Sequence, residues 1–148
     1  MNFDVWRCLV AGIISTAVMS GFVNAFENYV ARKFRIAPLL GTMLTGETTL
    51  IKGISFSNRA IYVGQLVHYL VGCLLSLLYY FWCIYRGGFT VLNTLLYGIF
   101  AGSVAVVAWR AFFFVHSRPP RINLNGYCKL LFAGHLILAV ILFVIYSV

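Results

Sequence analysis

A chain of 148 residues that is 62% hydrophobic and only 9% charged is not an ordinary soluble domain, in which about 25% of residues are charged. Its net charge of +8 comes with no aromatic-basic module to present it, so nucleic acid is not an expected partner. No nucleophile elbow, P-loop, HExxH or dinucleotide fingerprint appears in the sequence, and no motif supports an enzyme.

Four apolar stretches account for the composition: Val5–Phe26, Ile61–Tyr85, Phe89–Trp109 and Leu130–Val148. Each is near the ~20 residues that cross a bilayer core as a helix. They lack the alternation of barrel strands, and a helix satisfies its own backbone where lipid cannot. The expected fold is all-α, a polytopic membrane protein with four transmembrane helices in one domain over 1–148.

The first stretch superficially resembles a signal peptide, with Val23-Asn24-Ala25 as a passable cleavage site. Asp4 and a lone basic residue, Arg7, argue instead for a retained helix. Gly12, Thr16 and Gly21 are its close-packing residues, since small residues four apart let backbones approach. Asn24 and Glu27 share a face at its end and form a candidate polar site with Gln65.

The connection that follows is basic, with Arg32, Lys33, Arg35, Lys52 and Arg59, and Pro38 interrupts it. Residues 36–56 are moderately apolar but too short to span, which predicts an interfacial or re-entrant segment. In the second stretch Gly64, His68, Gly72 and Ser76 stand four apart, placing His68 on a small-residue face. The Arg86-Gly87-Gly88 turn predicts that the second and third helices are antiparallel neighbours. The third carries Gly98-xxx-Gly102, then an aromatic run, with His116 expected as an exposed boundary residue. A basic elbow with Arg118, Pro119, Pro120 and Arg121 leads to the fourth, whose face is Leu131, His135, Ala139 and Phe143.

Lysine and arginine are unevenly shared. The first and third connections with their helix ends hold nine, the last four being Arg110, Arg118, Arg121 and Lys129; the other side holds only Arg7 and Arg86. The positive-inside rule puts the basic connections in the cytoplasm and both termini outside. There Arg32, Lys33, Arg35, Arg118 and Arg121 serve as topology signals or contacts to anionic lipid headgroups.

A repeat underlies the chain. His68, Leu70, Val71, Gly72, Leu75 and Tyr79 recur 67 residues later as His135, Ile137, Leu138, Ala139, Leu142 and Tyr146. Gly12–Val18 resembles Gly98–Val104, 86 residues on. The expected arrangement is two parallel two-helix repeats. A histidine among apolar residues needs a reason. Three readings stand side by side: a neutral imidazole bonding across helices, axial ligation of a haem or chlorophyll-type tetrapyrrole by His68 and His135, with Gly64 and Gly72 leaving room for the macrocycle, or a proton relay by histidine. No metal site is expected without one, and Cys8, Cys73, Cys83 and Cys128 read as packing residues. Counting from Ile61, His68 is roughly 10 Å along its helix.

The pattern Gly12–Ser20, Gly64-xxx-His68-xxx-Gly72, Gly98–Val107 and Gly134-His135 with Tyr146 resembles a family of small four-helix bacterial inner-membrane proteins of unknown function. That resemblance implies a bacterial inner-membrane location and no particular activity. The expected function is a small non-catalytic membrane subunit or accessory protein, packing with other membrane proteins or with itself. The alternatives are a tetrapyrrole-binding electron-transfer subunit, and a small transporter or channel with Glu27, Gln65 and the histidines along a polar path.

Overall fold

The structure, a computed structural model, describes residues 4–26, 35–49, 51 and 53–148. Among them run five helices: α1 (Val5–Ala25), α2 (Ile36–Thr45), α3 (Asn58–Tyr85), α4 (Val91–Val115) and α5 (Leu124–Ser147). All but α2 are long and apolar enough to cross a membrane.

The helices start where a side chain can cap them. Asp4 accepts Trp6 N–H at 2.9 Å, Ser57 accepts Ala60 N–H at 3.1 Å, Thr90 accepts Asn93 N–H at 3.1 Å and Asn123 accepts Gly126 N–H at 3.0 Å. Each bond satisfies one orphan donor of a first turn. α3, α4 and α5 therefore overrun the apolar stretches. α4 continues to Val115, and α5 begins at Leu124 instead of Leu130. An apolar run marks the hydrocarbon core, whereas a helix ends at its cap. The 25 and 24 residues of α4 and α5 give about 36 Å, against a core of about 30 Å.

α1 sits between α3 and α5, and α5 in turn packs along α4. At the first crossing a Cβ on Gly12 would lie 2.6 Å from Cys73 Cα, and one on Gly72 would lie 1.7 Å from Thr16 Oγ1. On the other side of α1, Met19 and Val23 cover Gly134. Gly98 of α4 faces Ala139 and Leu136, and Gly102 faces Phe132. Where lipid supplies no hydrophobic drive, such small-residue seams select which helices touch.

The expected pairing of the helices joined by Arg86–Gly88 holds only near the turn. Gly87 and Gly88 have φ of 86° and 124°, and Asn93 Nδ2 donates to both Arg86 O and Gly88 O at 3.2 and 2.8 Å. Beside it Tyr79 Oη and Thr94 Oγ1 are 2.8 Å apart, Tyr97 Oη donates to Leu75 O at 2.6 Å and Trp82 stacks on Phe100. Farther along, α3 and α4 part, because the glycines of α4 face α5. Between them opens a lateral apolar cleft of about 610 Å³, walled by Val71 and Leu78 of α3 and by Ala101, Val104, Ala105 and Ala108 of α4.

At the opposite, basic end the segment expected to lie in or dip into the membrane interface contains α2, docked on the start of α3. A Cβ on Gly41 would lie 1.7 Å from Ala60 O, and one on Gly64 would lie 1.8 Å from Ala37 O. Gly46, with φ of 70°, ends α2 in the left-handed conformation that glycine tolerates. Thr42 Oγ1 then donates to Pro38 O at 2.7 Å and accepts Ser55 N–H at 2.8 Å, closing the return loop. Glu47 accepts from Ser57 Oγ and lies 3.8 Å from Arg59. The elbow after α4 joins this unit: His116 Nε2 donates to Met43 O at 2.9 Å, and Thr48 Oγ1 donates to Arg118 O at 2.6 Å.

His116 is therefore not the free boundary residue its position suggested. Its Nδ1 accepts Arg118 N–H at 3.1 Å while Nε2 donates, so both bonds together select the neutral Nε2–H tautomer.

Candidate functional site

The central polar cluster forms where α1 passes between the two histidine helices. Ser20 Oγ is 2.7 Å from Thr16 O and 2.8 Å from His68 Nε2. The carbonyl can only accept, so it takes the single serine proton. Ser20 must then accept from His68, which fixes the Nε2–H tautomer and leaves Nδ1 with a lone pair. His135 is buried, and its Nδ1 lies 2.8 Å from Leu131 O of its own helix. By the same reasoning Nδ1 carries the proton and Nε2 the lone pair.

The two imidazoles come from α3 and α5, on either side of α1. Among the described residues no hydrogen bond joins them. They also lie deeper than the apolar stretches implied. His68 follows Asn58 by ten residues and His135 follows Leu124 by eleven, about 15 Å and 16 Å into their helices.

A row of buried polar groups continues along α1 toward the turn end. Ser15 Oγ donates to Ala11 O at 2.5 Å, Ser76 Oγ and Tyr146 Oη are 3.1 Å apart, and Arg7 stands over the Tyr146 ring while donating to Ile145 O at 2.7 Å. Thr16 Oγ1 is buried with no hydrogen-bond partner among the described residues. The backbone approach of Gly12 to Cys73 leaves no room for water at the middle of this row. It seals the helices rather than separating them.

Several expected site residues serve elsewhere. Gly64 faces α2 and Gly72 faces Thr16, so the space beside His68 that a macrocycle needs is filled by the chain itself. A Cβ built on Gly21 meets nothing within 4 Å among the described residues. Gln65 is exposed and not gathered with the histidines. Asn24 Oδ1 accepts Ile36 N–H at 3.2 Å, capping the first turn of α2. Glu27, Arg32 and Lys33 lie outside the described residues. Arg35 precedes α2 and is exposed, as are Arg118 and Arg121. Gly12, Gly98 and Gly102 face neighbouring helices, and Thr16 lies against Gly72. Ser20 was missed as the partner of His68, although it stands one turn beyond Thr16 on the same face.

Chemically, this arrangement offers two neutral imidazoles and hydroxyls, with no carboxylate or thiolate bonded to them among the described residues. Among the described residues no three histidines, cysteines or acids gather where a metal could be held. The cluster joins helices of a membrane-spanning bundle. No protein family, curated protein or solved structure matches this chain.

A double-mutant cycle tests the central bond. Ser20→Ala and His68→Leu are each expected to destabilise the protein, with a coupling of about 0.6 to 1.7 kcal/mol, the range for interhelical bonds in a membrane. Unfolding in mixed micelles reads it. Strictly additive effects would remove the bond from the account.

Proposed function

We propose that this chain is a small non-catalytic membrane subunit that receives a transmembrane helix of another protein, or of a second copy, between α3 and α4. The observation that carries this is the lateral cleft. Its walls are almost wholly apolar, and Ala101, Ala105 and Ala108 line it along one face of α4. Spacings of four and three put those small residues on one stripe, which lets a helix backbone approach closely. An acyl chain gains nothing from such a stripe. His68 and His135 belong, in this reading, to the frame that holds the cleft walls.

The wider architecture is read as two parallel helix pairs, α1 with α3 and α4 with α5. Gly12 faces Gly72 and Gly98 faces Ala139, and these contacts correspond under the offsets of 86 and 67 residues. The position 86 residues after Ser20 is Val106, which has no hydroxyl, and His135 bonds its own helix instead. The basic ends are placed in the cytoplasm and the termini outside by the charge asymmetry, and a bacterial inner membrane is the proposed location.

A photo-crosslinking residue at Val104, used in native membranes, tests the subunit reading. The expected product is one discrete protein adduct, lost when Ala105→Trp fills the cleft. Adducts to lipid alone would refute the reading.

A further inference from the structure

We infer that the outer face of the α4–α5 seam is a binding site for one acidic glycerophospholipid. The groove there has a volume of about 730 Å³ and lies on the basic side of the membrane. Arg110 and Lys129 line its upper part with Asn125, and Val106, Val107 and Phe132 line the rest. Arg110 is five residues from the end of α4 and Lys129 five from the start of α5. Antiparallel helices thus bring both cations to one level, about 8 Å in from their ends.

Both stand just outside the apolar stretches, which end at Trp109 and resume at Leu130, the level expected of a headgroup phosphate. Asn125 Oδ1 accepts from Arg110 Nη2 at 2.9 Å, which holds the guanidinium over the groove and leaves its remaining donors for an oxygen ligand. Among the described residues no carboxylate pairs with Arg110 or Lys129. Asp4 is at the far end of the bundle, and Glu47 is engaged with Ser57 and Arg59. Two cations then face an anion with no competing carboxylate among the described residues, above an apolar floor that runs toward the membrane centre.

A soluble anion would use the cations and waste the floor. A zwitterionic lipid would use the floor and bring a cation of its own. Only an acidic phospholipid matches both, and a basic pocket between transmembrane helices on this side is suited to such a headgroup. The site is on the opposite side of α4 from the cleft, so it stands or falls independently of the subunit reading.

The full-length protein, purified in mild detergent, would be mixed with equimolar phosphatidylglycerol and phosphatidylcholine and its retained lipid counted by native mass spectrometry. The expected result is one retained phosphatidylglycerol in preference to phosphatidylcholine. Arg110→Ala with Lys129→Ala should weaken it roughly thirty-fold, about five-fold for each basic residue near the surface. Arg59→Ala with Arg86→Ala removes the same charge outside the groove and should leave it unchanged. Should the groove double variant fail to fold, Val107→Trp keeps both charges, blocks the floor and should lose the lipid. Equal retention of the two lipids, or equal loss in the two double variants, would overturn the proposal. So would displacement by inorganic phosphate at the lipid's own concentration.

Discussion

Gly64→Ala, a change of one methyl group, is expected to detach α2 from α3. The added Cβ would meet Ala37 O at 1.8 Å, Ala37 C at 2.7 Å and Gly41 N at 2.8 Å. All three are backbone atoms, so no rotamer change relieves them and a helix must move. The reciprocal change, Gly41→Ala, meets Ala60 O at 1.7 Å and Ala60 C at 2.5 Å. Each substitution should cost about 3 kcal/mol or more, at or beyond the upper end for overpacking. Because one docking surface is lost in either case, the double variant should cost little more than a single one. Gly21→Ala is the matched control, since its Cβ meets nothing. It should stabilise α1 by up to about 1 kcal/mol, through helix propensity alone. Protease access to the return loop around Glu47–Thr49, together with chemical unfolding, distinguishes the cases. If Gly64→Ala stayed as resistant as the parent, the α2–α3 seam described above would be wrong.

The second large effect is at the α1–α3 crossing, and it comes with its own rescue. A Cβ on Gly72 would lie 1.7 Å from Thr16 Oγ1 and 2.9 Å from Thr16 Cβ. Gly72→Ala alone should therefore cost about 2 to 3 kcal/mol. Thr16→Ala removes the nearer atom, and Thr16→Gly removes both. Rescue should be partial with the first and larger with the second, after allowing for about 1 kcal/mol of helix propensity that glycine forfeits. Thr16→Ala in the parent should be nearly neutral. Its Oγ1 makes no hydrogen bond among the described residues, so its loss leaves no buried partner unsatisfied. Equal destabilisation by Gly72→Ala in all three Thr16 backgrounds would contradict this geometry.

How much of this could be read from the chain depends on the physics that each feature uses. The four long apolar helices were visible because hydrocarbon thickness imposes a length on apolar runs. The seams at Gly12, Gly72, Gly98 and Gly102 were visible because close approach requires small residues. Gly64 was visible as a small residue but not in its purpose. Nothing in a spacing of four says whether the partner is another span or a short helix, and here it is α2. Gln65 and Gly21 were misplaced for a related reason. Periodicity gives a face, but which face turns inward depends on neighbours distant in sequence. The bond from Ser20 to His68 joins residues 48 apart, and the one from His116 to Met43 joins residues 73 apart. The cleft is the least visible feature of all, because it arises from two helices failing to meet, and a sequence records only what can touch.

The short helix has one more effect, on the shape of the opening itself. α2 is seated on the beginning of α3 through Gly41 and Gly64, and its Met43 carbonyl is held by His116 just past the last residue of α4. It thus braces the two cleft walls at the end where they would otherwise be free to drift together, while the Arg86–Gly88 turn fixes the other end. The gap between them is set by a spacer belonging to neither wall. The helix proposed to enter would meet an aperture already held open, and the ordering entropy that closing or prying it apart would demand is settled when the chain folds.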